Sequence, residues 1–280
     1  MPESEAFSLG PSDELPWVGL LLAAAGIALL PVASYLIRTL VPERRVFFAR
    51  WGFSHVILVV LAGLFMSLLM RFGVDLLGWN EPGQSNPLGV MAMSSVILAF
   101  ASLVAMGYAK RCEVVGWRAL GFPRGRDPRS LMVAVVAFLF ILPVVFGVNL
   151  LWPTVLRFMG GAPAPQEIML AIQSLEGSAL VVGVVLAIII QPFLEEVLFR
   201  GFLQPLLVQN LSDRGGVIAT SVLFAFMHGS SAFLPVFVLS LAIGGVMLRT
   251  QRLSAAWLVH ALHNAVIFFV ASSAESAALL

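Results

Sequence analysis

Long runs of apolar residues recur along this 280-residue chain, and they constrain its fold more than any other feature. A helix needs about 20 consecutive apolar residues to cross the hydrocarbon core of a bilayer. A spanning helix also satisfies all of its backbone hydrogen bonds internally. We therefore expect an all-α, polytopic integral membrane protein with a short sixth span. The runs predict eight spans: Trp17–Ile37, Phe53–Met70, Leu88–Ala109, Leu131–Trp152, Ser178–Asn210, Gly216–His228, Ala232–Leu248 and Ser254–Ser272.

Composition excludes several other classes of protein. The chain is 60% hydrophobic and 11% charged, whereas a soluble domain carries about 25% charged residues. This argues against a soluble enzyme and a disordered chain, and the single cysteine excludes a disulfide scaffold. The net charge of +1 offers no basic surface for nucleic acid.

The basic residues orient the predicted spans. Thirteen of the 16 Lys and Arg residues fall in the loops that follow the first, third, fifth and seventh spans. Cytoplasmic loops are enriched in Lys and Arg, so these loops are predicted to be cytoplasmic. Both ends of the chain are then expected on the outer side.

Ionisable residues within the spans are confined almost entirely to the last hundred residues. Such groups cost several kcal/mol in hydrocarbon, by an amount that is disputed, so each is a functional hypothesis. Those expected to act together are Glu195, Glu196 and Arg200 in the fifth span, His228 in the sixth, and His260 and Asn264 in the eighth; His263 is expected to be a packing residue.

The two adjacent glutamates are predicted to have different roles. Glu196 and Arg200 are four residues apart and share a helix face, so the guanidinium keeps Glu196 ionised. Glu195 is turned about 100° away and is expected to face another neighbour. Two carboxyl groups in apolar surroundings do not both ionise readily without a cation, which leaves Glu195 as a general base or acid. Pro192 is expected to kink the helix one turn earlier, beside a wet cavity.

Helical rise estimates the depth of these groups. Counted at about 1.5 Å per residue, Glu195 and His260 both fall in the cytoplasmic half of the bilayer. His228 falls deeper on the same count. The cavity is therefore predicted to open to the cytoplasm.

Three motifs in this order resemble the CPBP (Abi/CAAX protease) family of intramembrane endopeptidases, which includes the Rce1-like prenyl-protein proteases. They are Glu195-Glu196-x-x-x-Arg200, Phe224-x-x-x-His228 and His260-x-x-x-Asn264. The resemblance implies an intramembrane peptidase that hydrolyses a membrane-associated peptide or protein in the lipid bilayer.

The resemblance also implies a role for each residue. Glu195 would activate a water molecule that His228 shares, and His260 and Asn264 would stabilise the oxyanion. Glu196 and Arg200 would orient the catalytic helix. Zinc is an alternative, with Glu195, His228 and His260 as ligands from three helices. A glutamate- and histidine-activated water needs no metal.

This interpretation divides the chain into five parts. They are a polar tail (1–16), a four-span scaffold half (17–152), an outer connector with a short interfacial helix over Pro165–Glu176 (153–177), the catalytic half (178–272) and a C-terminal tail (273–280). Two alternatives use the same residues: a proton-coupled transporter, or a non-catalytic membrane scaffold or self-immunity protein. No inverted repeat is visible, which argues against the transporter.

Overall fold

A computed structural model describes residues 11–41, 49–76, 86–122, 125, 127–162 and 175–278 of the chain. Within these ranges there are no strands, and eight long helices follow one another. Their bounds are α1 Pro11–Leu40, α2 Phe53–Leu76, α3 Pro87–Cys112, α4 Pro128–Phe158, α5 Gly177–Leu211, α6 Asp213–Phe226, α7 Phe233–Thr250 and α8 Leu253–Ala278.

The predicted fold class is confirmed. Seven of the eight helices are long and apolar enough to cross a membrane. The exception is α6, whose 14 residues span about 21 Å and so fall short of a hydrocarbon core of about 30 Å. Several helix ends differ from the ends of the predicted spans: α1 begins at Pro11, α4 continues to Phe158 and α8 continues to Ala278. The predicted interfacial helix over Pro165–Glu176 falls mostly outside the described residues.

Helix α4 lies at the centre of the larger apolar core, between α1, α7 and α8. The side chains of Val133, Ala134, Ile243 and Val259 are fully buried there. Because lipid tails are as apolar as these side chains, close packing rather than hydrophobic burial holds such helices together.

Glycines allow α1 and α4 to approach closely. A Cβ atom on Gly147 would lie 2.4 Å from both the backbone nitrogen of Ala23 and the carbonyl oxygen of Gly19. We expect Gly147→Ala to destabilise the protein by about 1–3 kcal/mol, because backbone cannot move aside as a flexible side chain can. Unfolding in detergent micelles measures this. Gly107→Ala in α3 is the matched control, since a Cβ there meets nothing within 4 Å, and equal shifts for both variants would contradict the prediction.

A short 3-10 turn over Gly116–Leu120 follows α3 in the chain, and this region contacts both α5 and α8. The carbonyl oxygen of buried Leu120 lies against Gly201 of α5, where a Cβ would come within 3.0 Å of it. The next residue, Gly121, has a φ of +90° that favours glycine, and its carbonyl accepts a hydrogen bond from the N–H of Leu253, the first residue of α8. This turn therefore contacts α5 and α8, two of the three helices that carry the polar cluster of Glu195, Glu196, Arg200, His228, His260 and Asn264.

Candidate active site

Helix α5 is not a regular α-helix where it carries the two glutamates. Two π-helical segments, Leu186–Ile190 and Val197–Leu203, flank the α-helical stretch Gln191–Glu196. π-helical turns are rare and occur frequently at functional sites. The kink expected at Pro192 thus takes the form of a change in hydrogen-bond register.

Polar side chains from α3 and α8 bind the backbone of this irregular helix. The hydroxyl of Ser102 donates to the carbonyl of Leu194 at 3.2 Å, and the indole N–H of Trp257 donates to the carbonyl of Ile189 at 3.0 Å. Buried Gln191 is itself held by Ser94 of α3, at 2.7 Å. These bonds fix the segment on which Glu195 and Glu196 lie.

Glu196 and Arg200 form a fully buried ion pair. Their Oε2 and Nε atoms are 3.2 Å apart, and both side chains have no exposed surface. The guanidinium also donates through Nη2 to the hydroxyl of Ser240 at 2.7 Å, and it lies 4.4 Å from the ring centroid of Phe224. The spacing of four residues predicted this ion pair. The contacts of Arg200 with α6 and α7 could not be predicted in this way, because they depend on how the helices pack.

His260 lies between the two carboxyl groups. Its Nδ1 is 2.8 Å from Oε1 of Glu196, and its Nε2 is 3.8 Å from Oε2 of Glu195. An ionised carboxylate only accepts hydrogen bonds, so Nδ1 carries the hydrogen and Nε2 faces Glu195. The sequence predicted that Glu195 faces a neighbour other than Arg200 and that it can meet His260, and the structure places Glu195 beside His260. The second contact of the same imidazole, with Glu196, was not predicted.

The two glutamates differ in how deeply their side chains are buried, and therefore in the roles that they can perform. The Glu195 side chain is 21% exposed, whereas that of Glu196 is completely buried and already paired. Only Glu195 is placed to meet a ligand or solvent. Glu196 holds the ring of His260, a contact that sequence reasoning missed because it joins two helices far apart in the chain.

His228 lies just beyond the end of α6. Its Nδ1 is 2.8 Å from the carbonyl oxygen of Phe224, the residue four positions earlier, so Nδ1–H donates and Nε2 has no hydrogen-bond partner within the part of the chain that the structure describes. The ring of Phe224 contacts the rings of both His228 and His260, with centroid distances of 4.6 and 5.7 Å. Phe224 is therefore the common neighbour of the two histidines and of Arg200.

Asn264 binds backbone rather than another site residue. Its Nδ2 donates to the carbonyl oxygen of Ala187, at 3.0 Å. Ala187 lies eight residues before Glu195, about 12 Å along α5. At least one of the two amide hydrogens of Asn264 is thus already engaged in this structure.

The described side chains do not form a three-ligand metal site. No three His, Cys, Asp or Glu residues among them are grouped closely enough to hold one ion. The three ligands considered from the sequence, Glu195, His228 and His260, are therefore not grouped as a metal site among the described side chains.

Comparisons with known proteins agree with the region that carries the site. Residues 177–266 match the sequence model of the family described as type II CAAX prenyl endopeptidase Rce1-like. The match runs from the start of α5 into α8 and includes all six residues of the polar cluster. Comparisons with curated proteins and with solved structures gave no match.

Proposed function

We propose that Glu195 is the general base of an intramembrane endopeptidase, because residues 177–266 match the Rce1-like family of type II CAAX prenyl endopeptidases. This match supports the peptidase activity. The observation that carries the mechanism is the 3.8 Å separation of Glu195 Oε2 from His260 Nε2, with the opposite ring nitrogen fixed by Glu196.

This separation suits the binding of one water molecule. Oε2 and Nε2 are too far apart for a direct hydrogen bond, yet both are within reach of a water that donates one hydrogen to each. Such a water is polarised by two acceptors at once. The partial exposure of Glu195 leaves room for it on the side away from Glu196.

Peptide hydrolysis then follows from the chemistry of these groups. Glu195 takes a proton from the water as its oxygen attacks the carbonyl carbon of the substrate. The same carboxyl group gives that proton to the leaving amine when the peptide bond breaks. His260 positions the attacking water, because its Nε2 accepts one of the water hydrogens while Glu196, itself held by Arg200, fixes the ring. The resemblance gives His228 a share in the water, and its Nε2 has no other partner among the described residues.

The position of His228 supports a wet cavity within the membrane. Helix α6 ends after 14 residues, so the following turn lies at membrane depth if α6 begins at the cytoplasmic face. Non-helical backbone at that depth is tolerated where it is buried in protein or lines water. Together with the basic loops, this favours a cavity that opens to the cytoplasm and a substrate that is a membrane-associated peptide or protein.

The test compares membranes from cells that carry the wild-type protein or Glu195→Gln. We expect a membrane-associated peptide or protein to accumulate uncut only with the variant, because the amide cannot accept a proton from water. Quantitative mass spectrometry of the membrane fraction measures this. Glu113→Gln is the matched control, since Glu113 lies at the end of α3 and binds the backbone N–H of Arg50.

Two results would contradict the proposal. Identical membrane proteomes for the wild type and Glu195→Gln would argue for a non-catalytic scaffold. Proton flux through vesicles that stops in Glu195→Gln, without any change in peptide processing, would favour the transporter.

A further inference from the structure

The first π-helical segment of α5 ends where a proline removes the next backbone donor. In this segment the N–H of residue i bonds the carbonyl of residue i−5, as the N–H of Gln191 does to Leu186. The next bond of the same register would join residue 192 to the carbonyl of Ala187. Residue 192 is proline and has no N–H.

Asn264 occupies the place of that missing donor. Its Nδ2 lies 3.0 Å from the carbonyl oxygen of Ala187, a residue that is only 9% exposed. A buried carbonyl without a partner would be costly in hydrocarbon. The side-chain amide thus continues the register that Pro192 interrupts, immediately before the turn that bears Glu195.

Asn264 also links this backbone repair to the catalytic imidazole. It lies four residues after His260 on the same helix, so the two side chains share a face of α8. His260 binds Glu196 and Asn264 binds Ala187, so α8 contacts α5 on both sides of Pro192. A shift of the segment between these bonds would change the position of Glu195 relative to Nε2 of His260.

We propose that Asn264 is a positioning residue that supplies the hydrogen bond Pro192 lacks and thereby holds Glu195 beside His260. The proposal rests on the function proposed above for Glu195. It differs from the oxyanion role that the resemblance implies, because an oxyanion donor would act on the substrate independently of residue 192.

The decisive experiment is a cycle of variants at positions 192 and 264. Asn264→Ala is expected to lower the rate of cleavage of the peptide that accumulates with Glu195→Gln by about 10- to 100-fold, the size of effect that losing a supporting hydrogen bond has at other sites. Pro192→Ala restores an N–H for α5. In that background the loss caused by Asn264→Ala should shrink to less than about threefold. The same loss in both backgrounds would overturn the proposal and favour a direct role on the oxyanion.

A second measurement needs neither activity nor a folded Pro192 variant. Hydrogen exchange of residues 187–194 should be faster in Asn264→Leu, which keeps the approximate shape of the side chain and has no hydrogen-bond donor. Asn210→Leu is the matched control, because the amide of Asn210 also binds a carbonyl of α5, that of Leu206, at 2.7 Å but away from the site. Unchanged exchange in 187–194 for Asn264→Leu would overturn the proposal.

These readouts separate the two proposals. Absence of any cleavage by the wild-type protein would contradict the proposed function. Faster exchange in Asn264→Leu would still support the bond to Ala187 in that event, whereas normal exchange in this variant together with an active wild-type protein would contradict the positioning role alone.

Discussion

Arg200→Met is expected to lower the free energy of unfolding by about 3–5 kcal/mol and to abolish peptide cleavage. The substitution leaves the carboxylate of Glu196 completely buried with its cation removed. It also removes the bond to Ser240 and the contact with Phe224, so α5, α6 and α7 lose a common partner. Unfolding in mixed micelles and cleavage of the substrate found with Glu195→Gln measure the two effects.

The control for Arg200→Met is an ion pair of similar chemistry whose guanidinium lies largely in solvent. Arg50 and Glu113 are 3.9 Å apart, the Arg50 side chain is 66% exposed and that of Glu113 is 7% exposed. Glu113 also accepts a hydrogen bond from the backbone N–H of Arg50, which the substitution leaves in place. Arg50→Met should therefore cost no more than about 1 kcal/mol. Combining Arg200→Met with Glu196→Gln should recover much of the lost stability, because no unpaired carboxylate stays buried. Normal unfolding of Arg200→Met alone would show that the buried pair is not needed for the fold.

The helices were predictable because a lipid-spanning segment reveals itself by local composition. Each apolar run corresponds to one helix, and even the short α6 was visible as a short run. The helix ends were less predictable, because α1 and α8 continue through segments that contain few strongly apolar residues. Hydropathy detects the part of a helix within hydrocarbon and has no information on its extension beyond the membrane.

The arrangement of the site was predictable only where it is local. Glu196 and Arg200 are neighbours along one helix, so their spacing alone predicted the pair. The bond of Glu196 to His260 joins residues 64 positions apart, and its register depends on the crossing of α5 and α8. A periodic pattern cannot supply that register, so the sequence did not predict that one imidazole contacts both glutamates.

The two prolines of α5 coincide with changes in the helical hydrogen-bond register, which a prediction of a kink alone does not describe. The two π-helical segments end at Ile190 and Leu203, each two residues before a proline, Pro192 or Pro205. In each segment, the last hydrogen bond from residue i to the carbonyl of residue i−5 is donated by the N–H of the residue before the proline, Gln191 or Gln204. The proline cannot make the next one, so the register must change there. In α5 each proline thus marks the position of such a change, although not the side chain that compensates for it, whereas Pro31 of α1 and Pro143 of α4 lie within continuous α-helix.

His260→Ala is expected to lower the cleavage rate by about 100- to 10,000-fold while the buried ion pair stays intact. The variant removes Nε2 from beside Glu195, so a water bound to Glu195 loses its second acceptor. Stability should fall less than for Arg200→Met, since Glu196 keeps its contact with Arg200. The two variants therefore separate catalysis from folding. His55→Ala is the control, because His55 lies at the start of α2 and contacts Tyr108 and Gly52.

Added imidazole offers a sharper test of the same prediction. The space left by His260→Ala is bordered by Glu196 and by the ring of Phe224, which contact the native imidazole on two sides. A free imidazole bound there would donate to Glu196 and present its second nitrogen to the water, so activity should rise with imidazole concentration. The double variant with Glu195→Gln should show no such rescue, because the proton acceptor is absent. Rescue of that double variant would mean that imidazole, rather than Glu195, is the base, and full activity of His260→Ala without imidazole would remove His260 from the mechanism.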